Sequence, residues 1–136
     1  MTSQLNPYLT FNGNAREAME FYHSVFGGQL RISTFGEFGS SDPAIADKVM
    51  HAMLTTDRGY LLMASDTAPG MPYDPGNIIT CSLSGDPGEG LEEAWEKLSD
   101  GGTVTMPFEK QMWGDLYGMC IDRFGIPWMV DIAQPQ

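Results

Sequence analysis

This chain has few residues able to do chemistry. Of its 136 residues, only His23 and His51 carry an imidazole, and neither has a second ligand at metal spacing. His23 falls within a helical stretch, where a solvated side chain is the ordinary outcome. His51 lies in the run 49–56, in which Val49, His51, Met53 and Thr55 alternate with Met50, Ala52, Leu54 and Thr56. Alternation with period two puts the two sets on opposite faces of a strand. An imidazole beside Val49 and Met53 reads either as a general base or polar handle for a ligand, or as a hydrogen-bonded structural histidine at an interface.

Other reactive patterns fail on their spacing. The stretch Gly85-Asp86-Pro87-Gly88-Glu89-Gly90 is glycine-rich, but no lysine follows it and the phosphate-loop spacing is absent. Serines 3, 24, 33, 40, 41, 65, 82, 84 and 99 stand in no nucleophile-elbow context. Glu92-Glu93 belongs to a helix, where a solvated face is expected. Cys81 and Cys120 lie inside strand-like runs and read as buried small apolar side chains, not as a disulfide.

Charge narrows the partners. Seven basic against 18 acidic side chains give a net charge of −11, a field that repels phosphate backbones and anionic lipid. No nucleic-acid or membrane partner is therefore expected. The first seven residues have neither a basic start nor an apolar stretch, and no run is long enough to cross a bilayer, so a cytoplasmic setting is expected. An apolar content of 42% suffices for a packed core.

The elements that must position these groups occur twice. Leu5–Phe11 reads as a strand and leads into a helix with Ala15, Ala18, Met19, Tyr22 and Phe26 on one face. Asn14 and Glu17 have the spacing of a capping box, and Gly27-Gly28 stops the helix. Strands 29–35, 49–56 and 60–64 follow. Residues 69–76, with Pro69, Gly70, Pro72, Pro75 and Gly76, form a linker between a first module (1–68) and a second (77–136). The second module repeats the plan. Strand 78–84 precedes a helix with Asp86 as cap, Pro87 in the first turn and Leu91, Ala94, Trp95 and Leu98 as its apolar stripe. Gly101-Gly102 ends it, 74 residues after the first stop. Strands 103–112, 116–122 and 126–132 close the chain. The reading is α+β, two βαβββ modules whose sheets each carry a helix on one face and leave the other open.

Several runs carry a resemblance. They are Trp113-Gly114-Asp115-Leu116-Tyr117-Gly118, then Asp122-Arg123-Phe124-Gly125-Ile126-Pro127-Trp128, with Pro7-Tyr8-Leu9, Phe11-Asn12-Gly13, Phe21-Tyr22, Phe26-Gly27-Gly28, Met50-His51-Ala52 and Ser65-Asp66. In this order they resemble the PhnB-like branch of the vicinal oxygen chelate superfamily, which includes glyoxalase I, extradiol dioxygenases and bleomycin- and fosfomycin-resistance proteins. The resemblance implies paired modules forming a cupped eight-stranded mixed sheet around a small-molecule cavity, and a homodimer.

It does not carry the superfamily's metal. The places where metal-dependent members hold a divalent ion are occupied here by Asn6, Met63, Ile78 (or Asn77, one residue earlier) and Met129. Asn is a poor ligand, and Met and Ile do not suit a hard cation. No metal and no cofactor are therefore expected. With Asn6 turned inward, Tyr8 and Thr10 follow by alternation, and Met129 brings Pro127 and Asp131 with it. The expected ligand-binding set is Asn6, Thr10, Met53, Met63, Trp113, Tyr117 and Met129, with Tyr8 and His51 as candidate catalytic groups. Three functions follow: a metal-free binding protein with a mainly apolar cavity; a lyase, isomerase or transferase working through His51 and Tyr8, with Asp66 as a further candidate; or a dimeric interaction protein with a filled cavity.

Overall fold

The computed structural model describes residues 3–67 and 70–134. Ala68 and Pro69, at the expected junction of module and linker, lie outside the described residues, as do Met1, Thr2, Pro135 and Gln136. The chain divides into two compact units, Met1–Pro75 and Gly76–Gln136.

The first unit runs β1 (Tyr8–Phe11), α1 (Ala15–Phe26), β2 (Gln29–Thr34), β3 (Val49–Thr55) and β4 (Leu61–Asp66), with a short 3-10 turn at Gly36–Phe38. The second runs β5 (Cys81–Gly85), α2 (Leu91–Ser99), β6 (Thr103–Lys110), β7 (Leu116–Ile121) and β8 (Pro127–Ile132). The strands pair as two four-stranded sheets, β1-β4-β3-β2 and β5-β8-β7-β6. Each sheet is mixed: β1 runs parallel to β4 and β5 parallel to β8, and the other pairs are antiparallel. This is the expected α+β duplication.

Apolar spacing explains the packing. Ala15, Ala18, Met19 and Tyr22 of α1 are buried, and so are Leu9, Phe11, Ala52, Leu54, Leu62 and Ala64 of the sheet. Each fully buried large side chain stabilises by about 1.5–3 kcal/mol. In the second unit Leu91, Ala94, Trp95 and Leu98 play the part of the α1 stripe. Trp95 stacks on Phe108 of β6 with centroids 5.2 Å apart. Gly118 makes that possible, because a Cβ there would stand 3.0 Å from the Trp95 ring and 2.9 Å from the Phe108 Cα.

The paired glycines have a sharper reason than helix termination. A Cβ on Gly28 would overlap the carbonyl oxygen of Thr55, and one on Gly102 would overlap that of Ile121. In both units the chain leaving the helix thus crosses the end of the third strand at backbone contact. Gly28 also has φ +88°, whereas Gly102 needs only the space.

Four local expectations change. β1 begins at Tyr8 and not at Leu5, because pairing starts at Tyr8–Met63; Pro7, with no N–H, contributes only its carbonyl, to the Met63 amide. β5 begins at Cys81, opposite Trp128, and leaves Ile78 93% exposed outside the strand. Asn14 makes no side-chain cap bond; a distant carboxylate caps α1 instead. Asp86 is not the cap of α2: its amide donates to Glu89 Oε1 (2.7 Å) in a turn ahead of the helix, which starts at Leu91 after Gly90.

Candidate functional site

Each sheet turns one face to its helix, and the residues of interest lie on the other. In the first sheet, one row of partners crosses all four strands, Tyr8 to Met63 to Met53 to Arg31. Tyr8 and Thr10 are exposed while Leu9 and Phe11 are buried, so β1 obeys the alternation. The Tyr8 hydroxyl reaches His51 Nδ1 at 3.4 Å, with ring centroids 5.9 Å apart. The structure thus brings Tyr8, Thr10, His51, Met53 and Met63 onto one face. Asn6 precedes β1, half-buried, with its amide 3.4 Å from Gln4 Oε1.

Val49 leaves the group the sequence put it in. The pairing register slips between Ser33 and Thr34, so that Ser33 faces His51 but Thr34 faces Val49. A bulge of this kind interrupts alternation. Val49 is 1% exposed, while His51 and Met53 stay partly open to solvent. His23 is exposed, as expected, and its Nε2 lies 3.0 Å from the Gly28 carbonyl at the end of α1.

Asp66 is a structural residue. It is 4% exposed. Its Oδ1 accepts the amides of Gly13 and Ala15, each at 2.9 Å, and its Oδ2 accepts that of Val49 at 2.9 Å. The carboxylate meets the orphan donors at the start of α1, where negative charge is favoured. It therefore ties β4, α1 and β3 together on the helix side of the sheet, away from Tyr8.

The second sheet repeats the row as Ser82, Met129, Met119 and Met106. Beside it runs another: Ser84, Asp131, Tyr117 and Glu109. The Tyr117 hydroxyl stands 3.7 Å from Met129 Sδ, and the Trp113 ring meets Tyr117 edge-on with centroids 5.5 Å apart. Trp113, on the turn before β7, is 60% exposed. Loss of solvation first, and then the neighbouring Asp115 carboxyl, raise the Asp131 carboxyl above the ordinary range. Alternation placed Asp131 on this face; its pairing with Asp115 depends on the β6–β7 turn, which the sequence does not specify.

The donor set does not fit a divalent ion. Met63 and Met129 offer thioethers at the middle of the two sheets, and Ile78 offers nothing. Among the described residues no three His, Cys, Asp or Glu side chains gather in a group able to hold a metal ion. The cysteines do not pair: Cys81 and Cys120 flank Trp128 on opposite neighbouring strands, and both are free. Burial first, then the Asp122 carboxylate, pushes both thiols up, Cys120 to about 11. Asp122 in turn accepts the indole N–H of Trp128 at 2.8 Å.

Comparison with known proteins agrees with this architecture. Residues 3–131 match the sequence model of a family described as 3-demethylubiquinone-9 3-methyltransferase. The crystal structure of protein PA1353 from Pseudomonas aeruginosa is 39% identical, with a TM-score of 0.88 over 98% of this chain and 100% of that one. The PhnB protein of Bacillus cereus is 25% identical, with a TM-score of 0.78 over 96% of this chain and all of its own. A glyoxalase/bleomycin resistance protein/dioxygenase family enzyme of Burkholderia phytofirmans shares the fold, at 12% identity and a TM-score of 0.62 over 93% of this chain and 97% of its own.

Proposed function

The chain belongs to the PhnB-like family described as 3-demethylubiquinone-9 3-methyltransferase, within the glyoxalase/bleomycin-resistance superfamily, and from that premise we propose that it binds a small molecule without a divalent metal. What supports the reading is the chemistry at the middle of each open sheet face, where Met63 and Met129 stand at the places that the resemblance assigns to the superfamily's metal ligands. Thioethers are soft, polarisable and adaptable; they suit an apolar ligand and not an oxygen-seeking cation. The family description names a methyl transfer, but no nucleotide-cofactor motif supports that activity in this chain.

In this reading the modules 1–68 and 77–136, joined by linker 69–76, present Asn6, Thr10, Met53, Met63, Trp113, Tyr117 and Met129 to the ligand, and the protein works as a cytoplasmic homodimer. Native mass spectrometry of the purified protein tests it. A stoichiometric organic mass released on denaturation is expected, and its absence across expression hosts counts against the reading.

One observation favours a second reading, an enzyme. The Tyr8–His51 contact supplies a phenol and an imidazole able to pass a proton between them. A lyase, isomerase or transferase would use His51 as base and Tyr8 as its positioned partner.

A further inference from the structure

The open face of the second sheet holds a group that the fold leaves unused. Asp131 stands on β8 between Ser84 of β5 and Tyr117 of β7. Its Oδ1 is buried and accepts no hydrogen bond from any N–H or O–H donor among the described residues. Buried carboxylate oxygens are ordinarily satisfied, so an orphan at a ligand-facing position indicates a missing donor. Beside it, the Trp113 and Tyr117 rings meet at 69°, forming an aromatic corner, and Trp113 is largely exposed.

We propose that this face binds a primary or secondary ammonium group carried on an aromatic or apolar body, the ammonium donating to Asp131 Oδ1 and the body lying in the Trp113–Tyr117 corner. The inference rests on the reading of the open faces as ligand-binding surfaces and adds the chemical class. Three features select a cation over a neutral donor. Neither Asp131 nor Asp115 forms an ion pair with a lysine or arginine among the described residues, so no internal cation competes. Aromatic faces attract cations. The net charge of −11 draws them in. A metal ion fits poorly, since two carboxylates without a third His, Cys, Asp or Glu fall short of a metal's ligand count.

Binding moves a proton. Burial, and then the neighbouring Asp115, push the Asp131 carboxyl above its ordinary range, and an ammonium favours the ionised form. Where Asp131 is still protonated, an arriving ammonium displaces that proton to solvent and pairs with the carboxylate. Affinity therefore rises with pH, by up to about tenfold per pH unit, until Asp131 is fully ionised. The other titratable groups facing Asp131 are Tyr117 from β7 and, beyond it, Glu109 from β6; β5 contributes the uncharged Ser82 and Ser84.

The test compares benzylamine with benzyl alcohol on the full chain, by calorimetry at physiological salt across pH 5–8 (about one pH unit per step). Benzylamine should bind at least about tenfold tighter at neutral pH, with affinity rising as pH rises. Asp131→Asn should bring the two probes to parity, and Trp113→Ala should weaken both. Equal affinity of the two probes for the unaltered protein overturns the inference and leaves the ligand-binding reading standing. An amine preference that survives Asp131→Asn also overturns it, because bulk charge then explains the preference. If Asp131→Asn fails to fold, the exposed Trp113 decides: benzylamine affinity unchanged in Trp113→Ala overturns the proposal. Should neither probe bind while native mass spectrometry finds another ligand, the amine inference alone falls; with no ligand found either, both readings fall.

Discussion

The Tyr8 hydroxyl lies 3.4 Å from His51 Nδ1 although β4 runs between the strands that carry the two residues. The phenol therefore reaches diagonally across β4, on which Met63 is its cross-strand partner, to the imidazole. Strand pairing thus sets a phenol and an imidazole on the same sheet face as Met53 and Met63. This arrangement separates the two functional readings. As general base, His51 would be worth about 10²–10⁴ in rate, so His51→Ala would abolish measurable turnover of a substrate. As a polar handle it would contribute about 1 kcal/mol, and His51→Ala would weaken ligand affinity about fivefold. Tyr8→Phe should change folding stability by less than about 0.5 kcal/mol in urea titration, because Tyr8 is 48% exposed.

Asp66 should behave in the opposite way. It accepts three amides from a buried position, so Asp66→Ala leaves three donors unpaired and should cost about 3–5 kcal/mol in denaturant unfolding. Asp66→Asn keeps an acceptor for Gly13 and Ala15 and should cost visibly less. Ligand affinity per folded molecule should be unchanged in both, since Asp66 lies on the helix side. A stability near that of the unaltered protein would contradict the bracing role.

The glycine pairs give a graded prediction. Gly28→Ala and Gly102→Ala each drive a methyl into a backbone carbonyl, and each should cost more than about 2 kcal/mol. Gly27→Ala meets nothing within 4 Å and bears only the strain of φ +72°, so it should cost about 1–2 kcal/mol. Thermal melts of the three variants give the order directly. Losses in Gly28→Ala and Gly102→Ala no larger than that in Gly27→Ala would contradict the close approach.

Sequence periodicity carried the architecture because its signals are local and repeated. The Gly27-Gly28 and Gly101-Gly102 stops, the two apolar helix stripes and the alternation in β1, β3 and β8 each name an element and the face it buries. What escaped depends on contacts between distant segments. Asn14 has the local pattern of a cap, but Asp66, 51 residues beyond Ala15, takes the donor instead. Val49 follows the alternation of its strand until the bulge opposite Ser33 and Thr34 removes it. Ile78 has a strand-forming side chain but no partner strand, and remains exposed. The Asp115–Asp131 pair forms only after the β6–β7 turn places two acids 16 positions apart on one surface.

On the proposed reading, the thioethers of Met63 and Met129 leave no place for the superfamily's metal. Elemental analysis measures this most directly, on protein incubated with Zn, Ni, Mn and Fe(II) in turn and then desalted. Less than about 0.1 ion of each metal per chain is expected. Retention of about one ion per chain, lost on replacing Asn6 or His51 with Ala, would contradict it.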